Sequence, residues 1–433
     1  MKRLKKILKW TGIVLGVLVA IGLVANAWWV WTTDTRLERQ LAAIRAAGDP
    51  LTLAELAPKP ISPEKNAATY LRRAEAGIDA IYREVEAVPH FWEWFETKGP
   101  TPAQIQKALK AAFSAYPDVI PLLQQAGACP DYDAQLDYTL PPEQFLAKML
   151  PVIQEIRGDA RVLQFRVRLL MAEGNYDEAV RTALILFRLA QHCSHNPTIV
   201  GYLVTATIQG IAVQSANLVL QAGPVSKEVR DALDAEIAIQ ERMEGYTWAY
   251  KSERAFVLDS FRDIARGRNF WLFRGYWNRQ ESECLEVLQT YVALTLDQGP
   301  YRQTDRTIRR TYNQIAQKMS PLVQLLVPAT EAVHHAVTRV RTEIRSLRVL
   351  NALQTHVPAG GNETPKLTEL GLPTETITDP FTGEPLHVKK TPQGWVVYSV
   401  GRNFQDDGGK LDDLPNGDVG VGPPQPAAKP GEK

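Results

Sequence analysis

Two short clusters of side chains in this sequence have the types and spacing that bind metal ions. His192, Cys193 and His195 place two imidazoles and a thiol within four residues, as a zinc site would require. Glu331 and His334 have the i, i+3 spacing of the carboxylate and imidazole ligands in di-iron helical bundles. Each kind of site needs a second ligand cluster, and the sequence contains no matching one. We therefore expect the first cluster to end a helix and the second to form a polar helix face.

Patterned catalytic motifs are also missing from the sequence. It contains no G-x-S-x-G, P-loop, G-x-G-x-x-G or H-E-x-x-H motif and no pair of C-x-x-C motifs. The cysteines at positions 129, 193 and 284 are too few and too scattered for a disulfide framework. We therefore predict a protein without catalytic activity, although catalytic groups can also lie far apart in a sequence.

The charge balance argues against a role in binding nucleic acid. The 433 residues include 49 basic and 48 acidic side chains, a formal net charge of +1. Five of the basic residues lie among the first nine, so the rest of the chain is slightly acidic. A nucleic-acid-binding surface needs an excess of lysine and arginine, which this chain lacks.

The elements that must position these groups begin with an N-terminal apolar segment. Residues 10–31 contain no charge, and a helix of that length covers the roughly 30 Å hydrocarbon core of a bilayer. The preceding cations predict that the N-terminus lies in the cytoplasm and that everything after Thr33 lies outside. We expect the lipid contacts of this anchor to include Trp10, Leu15, Leu18, Ile21, Trp28, Trp29 and Trp31.

Two other interpretations of the apolar segments stay open. Ala25-Asn26-Ala27 fits the cleavage site of a signal peptide, but the apolar run continues to Trp31, which favours an anchor. A second uncharged stretch, residues 196–226, is longer still. It carries amides and hydroxyls that suit a buried protein helix better than lipid, so we expect a single membrane span.

Helical periodicity dominates the rest of the chain. Residues 35–47 and 63–86 are the first predicted helices, the second with Ser62 as its N-cap. The pattern around Gly174 and Tyr176 is typical of the turn between the two helices of a tetratricopeptide repeat, although no second copy follows. The predicted fold is mostly α. It comprises a basic cytoplasmic segment (1–9), a transmembrane helix (10–31), a juxtamembrane helix and linker (32–62), a body of helical hairpins (63–328), a small α+β module with a β-hairpin (329–413) and a disordered tail (414–433).

One segment of the predicted body is unusually aromatic. Residues 246–277 contain ten aromatic rings interspersed with five arginines. Trp248, Trp271 and Trp277 are candidates for a surface that binds a ligand, a protein partner or lipid headgroups. Aromatic stripes at helical spacing more often face the protein interior. We therefore expect a core lined by aromatic rings, with arginine side chains that reach solvent.

Strands are predicted only near the C-terminus. A long amphipathic helix follows Pro328, with one apolar stripe over residues 333–353. Residues 386–390 and 395–400 then form a hairpin around a four-residue loop. The Pro-rich and Gly-rich residues beyond Asp413 offer too little apolar surface to fold, so they are predicted to be disordered.

The order of motifs near the C-terminus resembles that of a known family. A long helix, D-P-F-T-G-E-P-L, G-W-V-V-Y-S-V-G and D-D-G-G, together roughly residues 329–413, resemble the C-terminal domain of the major pseudopilins of type II secretion. The whole chain is similar to a group of single-pass membrane proteins from planctomycete-type bacteria, which implies an architecture but no activity. The pseudopilin loop holds calcium, and the resemblance implies that Asp406, Asp407 and Ser399 are Ca²⁺ ligands here. The alternative is an Asp-Gly turn with solvated charges.

These features predict a membrane-anchored scaffold or protein-interaction protein, with its bulk in the periplasm and with protein partners in the cell envelope. One alternative is an envelope enzyme that binds a glycan or a lipid in the helical body. Another is an accessory subunit of a type II secretion or pilus-like assembly. Filament assembly itself is not expected. In pseudopilins the long helix continues directly from the membrane segment, whereas here about 300 residues separate the two.

Overall fold

The computed structural model describes residues 2–97, 99–194, 196–242, 244–266, 273–296, 299–316, 320, 323, 330–356, 364–411 and 417–424. These residues are mostly helical, with an apolar N-terminal helix and a small antiparallel sheet of three strands. The predicted fold class is therefore confirmed.

Helices and strands follow one another in a simple order. The helices are α1 Lys2–Ala46, α2 Ala67–Glu86, α3 Phe91–Glu96, α4 Ala103–Ala115, α5 Val119–Ala128, α6 Pro142–Ala172, α7 Tyr176–Cys193, α8 Ile199–Ala222, α9 Lys227–Gln240, α10 Glu244–Arg266, α11 Arg274–Leu296, α12 Tyr301–Ala316, α13 Thr330–His356 and α14 Thr374–Ile377. The strands are β1 His387–Thr391, β2 Gly394–Ser399 and β3 Val419–Val421.

Helix α1 continues without a break past the predicted end of the membrane segment. Its residues between Thr32 and Ala46 include no proline or glycine, so nothing interrupts the helix there. The predicted short helix 35–47 is therefore the last part of α1. Its apolar stripe of Leu37, Leu41 and Ile44 is buried against α11, which fixes α1 to the body.

The start of α2 differs from the predicted one. Residues 63–65 form a single 3₁₀ turn, and Ser62 makes no capping hydrogen bond. The N-cap is Asn66, whose Oδ1 accepts a hydrogen bond from the Ala68 amide at 3.1 Å. Asn66 also bonds the backbone of Asp133 through both ends of its amide. This additional tie to a distant loop fixes the cap at Asn66 rather than Ser62.

The predicted helical hairpin is present as α6 and α7. Gly174 has a φ of 75° between the two helices, a conformation that glycine adopts without strain. Helix α8 then packs against α7, α6 and α13, and most of its apolar window is buried. The second uncharged stretch is thus a core helix, as predicted.

The C-terminal module packs directly on the helical body. The predicted amphipathic helix is α13, and its stripe from Val333 to Leu353 is buried mainly against α8, α9 and the sheet. The predicted hairpin is also present. Its loop has two residues instead of four, because Thr391 pairs with Gly394. The side chains of Asn217 and Gln221 on α8 donate hydrogen bonds to backbone carbonyls of the module, each at 2.8 Å.

The predicted disorder beyond residue 413 is wrong for residues 419–421. These residues form β3, which pairs antiparallel with β2 so that Val397 faces Val421. Val419 and Val421 are both buried, and two alternating valines give a third strand enough apolar contact once β2 supplies the backbone partners. Residues 414–416 and 425–433, also in the predicted tail, lie outside the described residues.

Candidate functional site

The aromatic segment folds into the antiparallel pair α10 and α11, and the middle of this pair is core. Tyr250 and Phe261 are buried there. The prediction that the arginine side chains reach solvent is wrong for Arg254, whose side chain is completely buried. Its guanidinium donates hydrogen bonds to Asp49 Oδ2 at 3.0 Å and to Gln289 Oε1 at 2.8 Å. An arginine can be buried in this way when a carboxylate and an amide oxygen accept hydrogen bonds from its guanidinium.

Trp248 lies near the start of α10 and lines a large cavity. The cavity has a volume of about 720 Å³. Two apolar side chains stand exposed in it, Trp248 (40% exposed) and Leu296 (66% exposed). We refer to this cavity as the Trp248 cleft. Its lining residues are Ala238, Glu241, Arg242, Thr247, Trp248, Lys251, Thr295, Leu296, Arg341 and Glu375.

Charges of both signs surround the apolar centre of the Trp248 cleft. Lys251 pairs with Asp49 at 2.7 Å, and Glu241 pairs with Arg348 at 2.9 Å. Within the described part of the chain, Arg242 and Arg341 have no ion-pair partner within 4.0 Å. Burial lowers the pKa of Arg341, while the nearby Glu375 and Glu241 oppose that shift. The cleft thus has two cations that could accept an anionic group from a ligand.

The other two predicted surface tryptophans do not join Trp248. Trp277 is half-buried, with its ring edge-to-face against Phe261 at 6.1 Å between centroids. Trp277 belongs to the opposite end of the α10–α11 pair, because α10 and α11 run antiparallel. Trp271 lies outside the described residues. The predicted tryptophan surface is therefore divided between two ends of one helical hairpin.

The predicted calcium ligands lie on and after β2. Asp406 Oδ1 accepts hydrogen bonds from the Tyr398 hydroxyl at 3.1 Å and from the Gly408 amide at 2.8 Å. The Gly408 amide lowers the pKa of the Asp406 carboxyl. Asp407 Oδ2 accepts a hydrogen bond from the side-chain amide of Asn403 at 3.0 Å.

Ser399 is buried, and its hydroxyl oxygen accepts a hydrogen bond from the Gly401 amide at 2.9 Å. Among the described residues, from which 412–416 are missing, no three His, Cys, Asp or Glu side chains are arranged to hold a metal ion. Asp406, Asp407 and Ser399 thus each have one oxygen atom that accepts a hydrogen bond from a neighbouring residue. Calcium binding by Asp406, Asp407 and Ser399 stays a prediction.

The residue that organises this loop is Asp418, which sequence reasoning placed in the disordered tail. Asp418 is buried and accepts hydrogen bonds from the amides of Gly409 at 2.7 Å and Asp407 at 3.3 Å. Burial raises the pKa of the Asp418 carboxyl, although both amides oppose the shift. Asp418 directly precedes Val419 and Val421, which alternate as apolar residues do in a β-strand. This alternation was the only local signal in the sequence for a structural role of Asp418.

A smaller cavity of about 70 Å³ lies between α2 and α6 and is lined by several carboxyl groups. Asp159 is almost completely buried in it. Burial raises the pKa of Asp159 well above its usual value, and repulsion from Glu155, Glu75 and Asp79 raises it further. Burial also raises the pKa of Glu155. Raised carboxyl pKa values are found both at acid–base sites and among buried structural carboxyl groups.

Neither of the two metal-like sequence clusters forms a metal site in the described structure. His192 lies in the last turn of α7 as predicted and is buried, with Nε2 3.0 Å from the Ala126 carbonyl oxygen. His195 lies outside the described residues. The predicted polar face at His334 is instead a packing contact, because its ring stacks on Tyr301 at 5.1 Å. Glu331 forms ion pairs with Arg309 and Arg402.

The predicted membrane anchor is exposed along its full apolar length. Within residues 9–46 the most apolar window has a mean hydropathy of 2.3, and none of it is buried. The equivalent window of α8 is 61% buried. The chain thus has one N-terminal helix that is apolar and exposed enough to cross a membrane. Comparison with protein-family models, with curated proteins and with solved structures finds no match for this chain.

Proposed function

We propose that this chain is a single-pass membrane protein whose body binds a segment of a partner protein in the Trp248 cleft. In this proposal the N-terminus lies in the cytoplasm and the body lies in the periplasm. The protein acts as a scaffold and catalyses no reaction. The observation that carries the proposal is the exposed pair Trp248 and Leu296 at the centre of a charged cleft.

Helix α1 supports the membrane part of the proposal. Five cations precede its apolar run, and this charge bias favours an N-terminus in the cytoplasm. The same helix packs on α11 after it leaves the apolar region. A body attached in this way is held at a fixed height above the bilayer, which suits a protein that presents a surface to partners.

The chemistry of the cleft supports the partner part of the proposal. A volume of about 720 Å³ lies in the range of about 300 to 1,000 Å³ that is common for ligand sites. Exposed tryptophan surrounded by polar groups is frequent where protein interfaces gain most of their affinity. Arg242 and Arg341 would pair with a carboxylate. The expected partner is therefore a protein segment with an apolar side chain close to an acidic one.

Site-specific crosslinking tests this proposal. A benzophenone amino acid at position 248 is expected to give a discrete crosslinked protein in cells, whereas the same group at Leu150, which is 39% exposed, is not. Arg242→Glu should weaken the crosslink from position 248, because it replaces an exposed cation by an anion. Lys148→Glu reverses an equally exposed charge far along the chain and should leave the crosslink unchanged.

Two results would contradict the proposal. A crosslink of equal yield from positions 150 and 248, or one that Arg242→Glu leaves unchanged, would show that the cleft does not select the partner. Adducts with small molecules alone would favour the alternative of an envelope enzyme.

The cavity between α2 and α6 is the observation that favours this alternative. Burial raises the pKa of its Asp159 and Glu155 carboxyl groups, as is found for the acid of an acid–base pair. Its volume of about 70 Å³ is well below that of sites for sugar-sized ligands, so the cleft remains the better-supported site. Hydrolysis of a glycan or lipid that Glu155→Gln abolishes would reverse this preference.

A further inference from the structure

The beginning of α11 lies at the same level as the end of the membrane-spanning run of α1. Trp29 packs over Gly275, so closely that a Cβ at position 275 would lie 3.1 Å from the Trp29 ring. Trp28, Trp29 and Trp31 end the uncharged run of α1, and tryptophan in this position lies among the headgroups of a bilayer. The first turn of α11 is therefore at headgroup level.

Helices α1 and α11 run in the same direction from this point. Asp34 accepts hydrogen bonds from Arg274 and Asn278, both at 2.9 Å. Further along both helices, Gln40 accepts one from the Ser282 hydroxyl at 2.7 Å. Helix α11 therefore leads away from the bilayer. The antiparallel helix α10 leads toward the bilayer and ends beside it at Arg266.

The described side chains at this end of the hairpin are suited to a headgroup layer. Phe273 is 58% exposed and Tyr276 is 41% exposed. Ile264 is also exposed, and the Arg266 side chain is 81% exposed and pairs with Asp263 at 3.8 Å. Aromatic rings and arginine are favoured where apolar and polar layers of a membrane meet. Arginine additionally pairs with the phosphate groups of anionic lipids.

We propose that Ile264, Arg266, Phe273 and Tyr276 form a second membrane contact, which rests on the outer headgroups of the bilayer that α1 spans. We call these four residues the bilayer patch. This inference rests on the proposed membrane span of α1. The patch continues the tryptophan belt of α1 sideways onto the body. Two contacts, unlike one, prevent the body from tilting about α1 and keep the Trp248 cleft turned away from the lipid.

Depth-dependent quenching of a fluorophore tests the bilayer patch. The full chain with Tyr276→Cys carries an environment-sensitive dye in vesicles of phosphatidylethanolamine and phosphatidylglycerol that contain nitroxide lipids. Two reference variants are Leu18→Cys, within the apolar run of α1, and Ile239→Cys on α9, which is as exposed as Tyr276. The native cysteines are all buried, and the labelled wild-type chain supplies their background.

The proposal predicts a blue shift at position 276 and loss of fluorescence with nitroxides near the headgroups. Position 18 should be quenched by nitroxides deep in the acyl chains, and position 239 by neither. Quenching at 18 without quenching at 276 or at a second site, Phe273→Cys, would overturn the bilayer patch alone. Absence of quenching at 18 would overturn the membrane span on which the patch depends.

Discussion

At one end of the α10–α11 hairpin Trp248 and Leu296 stand in an open cleft, whereas at the other end Phe273 and Tyr276 flank Gly275, which packs against Trp29 of α1. The two ends have similar compositions and different neighbours. Helix α10 has 23 residues, so the ends are about 35 Å apart at 1.5 Å per residue. In the two proposals, the position of an exposed aromatic side chain relative to α1 decides its role.

The middle of the hairpin separates these two ends. Tyr250 and Phe261 are buried there, together with Arg254 and its partners Asp49 and Gln289. A packed middle would hold the cleft in a fixed position relative to the end that packs on α1. The hairpin therefore has an open cleft at one end, a packed middle and a contact with α1 at the other end. Substitutions can test each of these three regions.

The largest expected effect distinguishes the core from the cleft. Tyr250→Ala should lower the free energy of unfolding by about 3 to 5 kcal/mol, because a large buried ring leaves a cavity. Trp248→Ala, two residues earlier, should cost less than about 1 kcal/mol, since its ring is 40% exposed. Denaturant unfolding in detergent micelles measures both values.

Equal losses for Tyr250→Ala and Trp248→Ala would contradict the distinction between core and cleft. Ile239→Ala, another exposed apolar residue, is the control for an effect of simple surface truncation. We expect its loss to match that of Trp248→Ala.

A smaller effect on the free energy of unfolding is expected for a substitution of Asp159. This residue lies outside the α10–α11 hairpin, so its substitution is also a control for the experiments on both ends of the hairpin. Its folded-state pKa is raised, so the folded state retains a proton that the unfolded state loses above an ordinary aspartate pKa near 3.8. Stability from this group is complete at lower pH and falls as pH rises toward the folded-state pKa. Asp159→Asn should remove this loss. It should raise the free energy of unfolding by about 1 to 3 kcal/mol near pH 8 and by less near pH 5.

The pH dependence of unfolding for the wild type and for Asp159→Asn checks this expectation. A constant difference between the two at all pH values would contradict a raised pKa. The same variant should leave the crosslink from position 248 and the quenching at position 276 unchanged.

The smallest expected effect concerns the junction of α1 and α11. Asp34→Ala removes the acceptor of Arg274 and Asn278 and should cost about 0.5 to 1 kcal/mol, because the contact is partly exposed. Glu38→Ala, one turn further along α1 and exposed, should cost less. A larger loss for Glu38→Ala would contradict the proposed docking of α1 on α11.

The features that the sequence predicts correctly have local signals. The uncharged run of α1, the turn at Gly174 and the hairpin of β1 and β2 are each encoded by consecutive residues. The cap of α2 illustrates a failure. Ser62 and Asn66 both suit an N-cap, and the choice depends on bonds from Asn66 to Asp133, which lies far along the chain.

The candidate sites were less predictable than the fold for the same reason. Trp248 was chosen from the sequence for its type, but its cleft is completed by residues of α9, α11, α13 and α14. The contact between Trp29 and Gly275 joins segments that share no pattern. Asp418 was misplaced because short strands such as β3 become stable only when a neighbouring strand supplies their hydrogen bonds.

The central claim is that α1 crosses a bilayer and holds the body on its outer side. Labelling of spheroplasts with a membrane-impermeant maleimide tests it most directly, with Lys410→Cys on the C-terminal module and Lys6→Cys at the start of α1, both exposed. The account predicts that position 410 is labelled in intact spheroplasts and position 6 only after lysis. Labelling of position 410 only after lysis would contradict it.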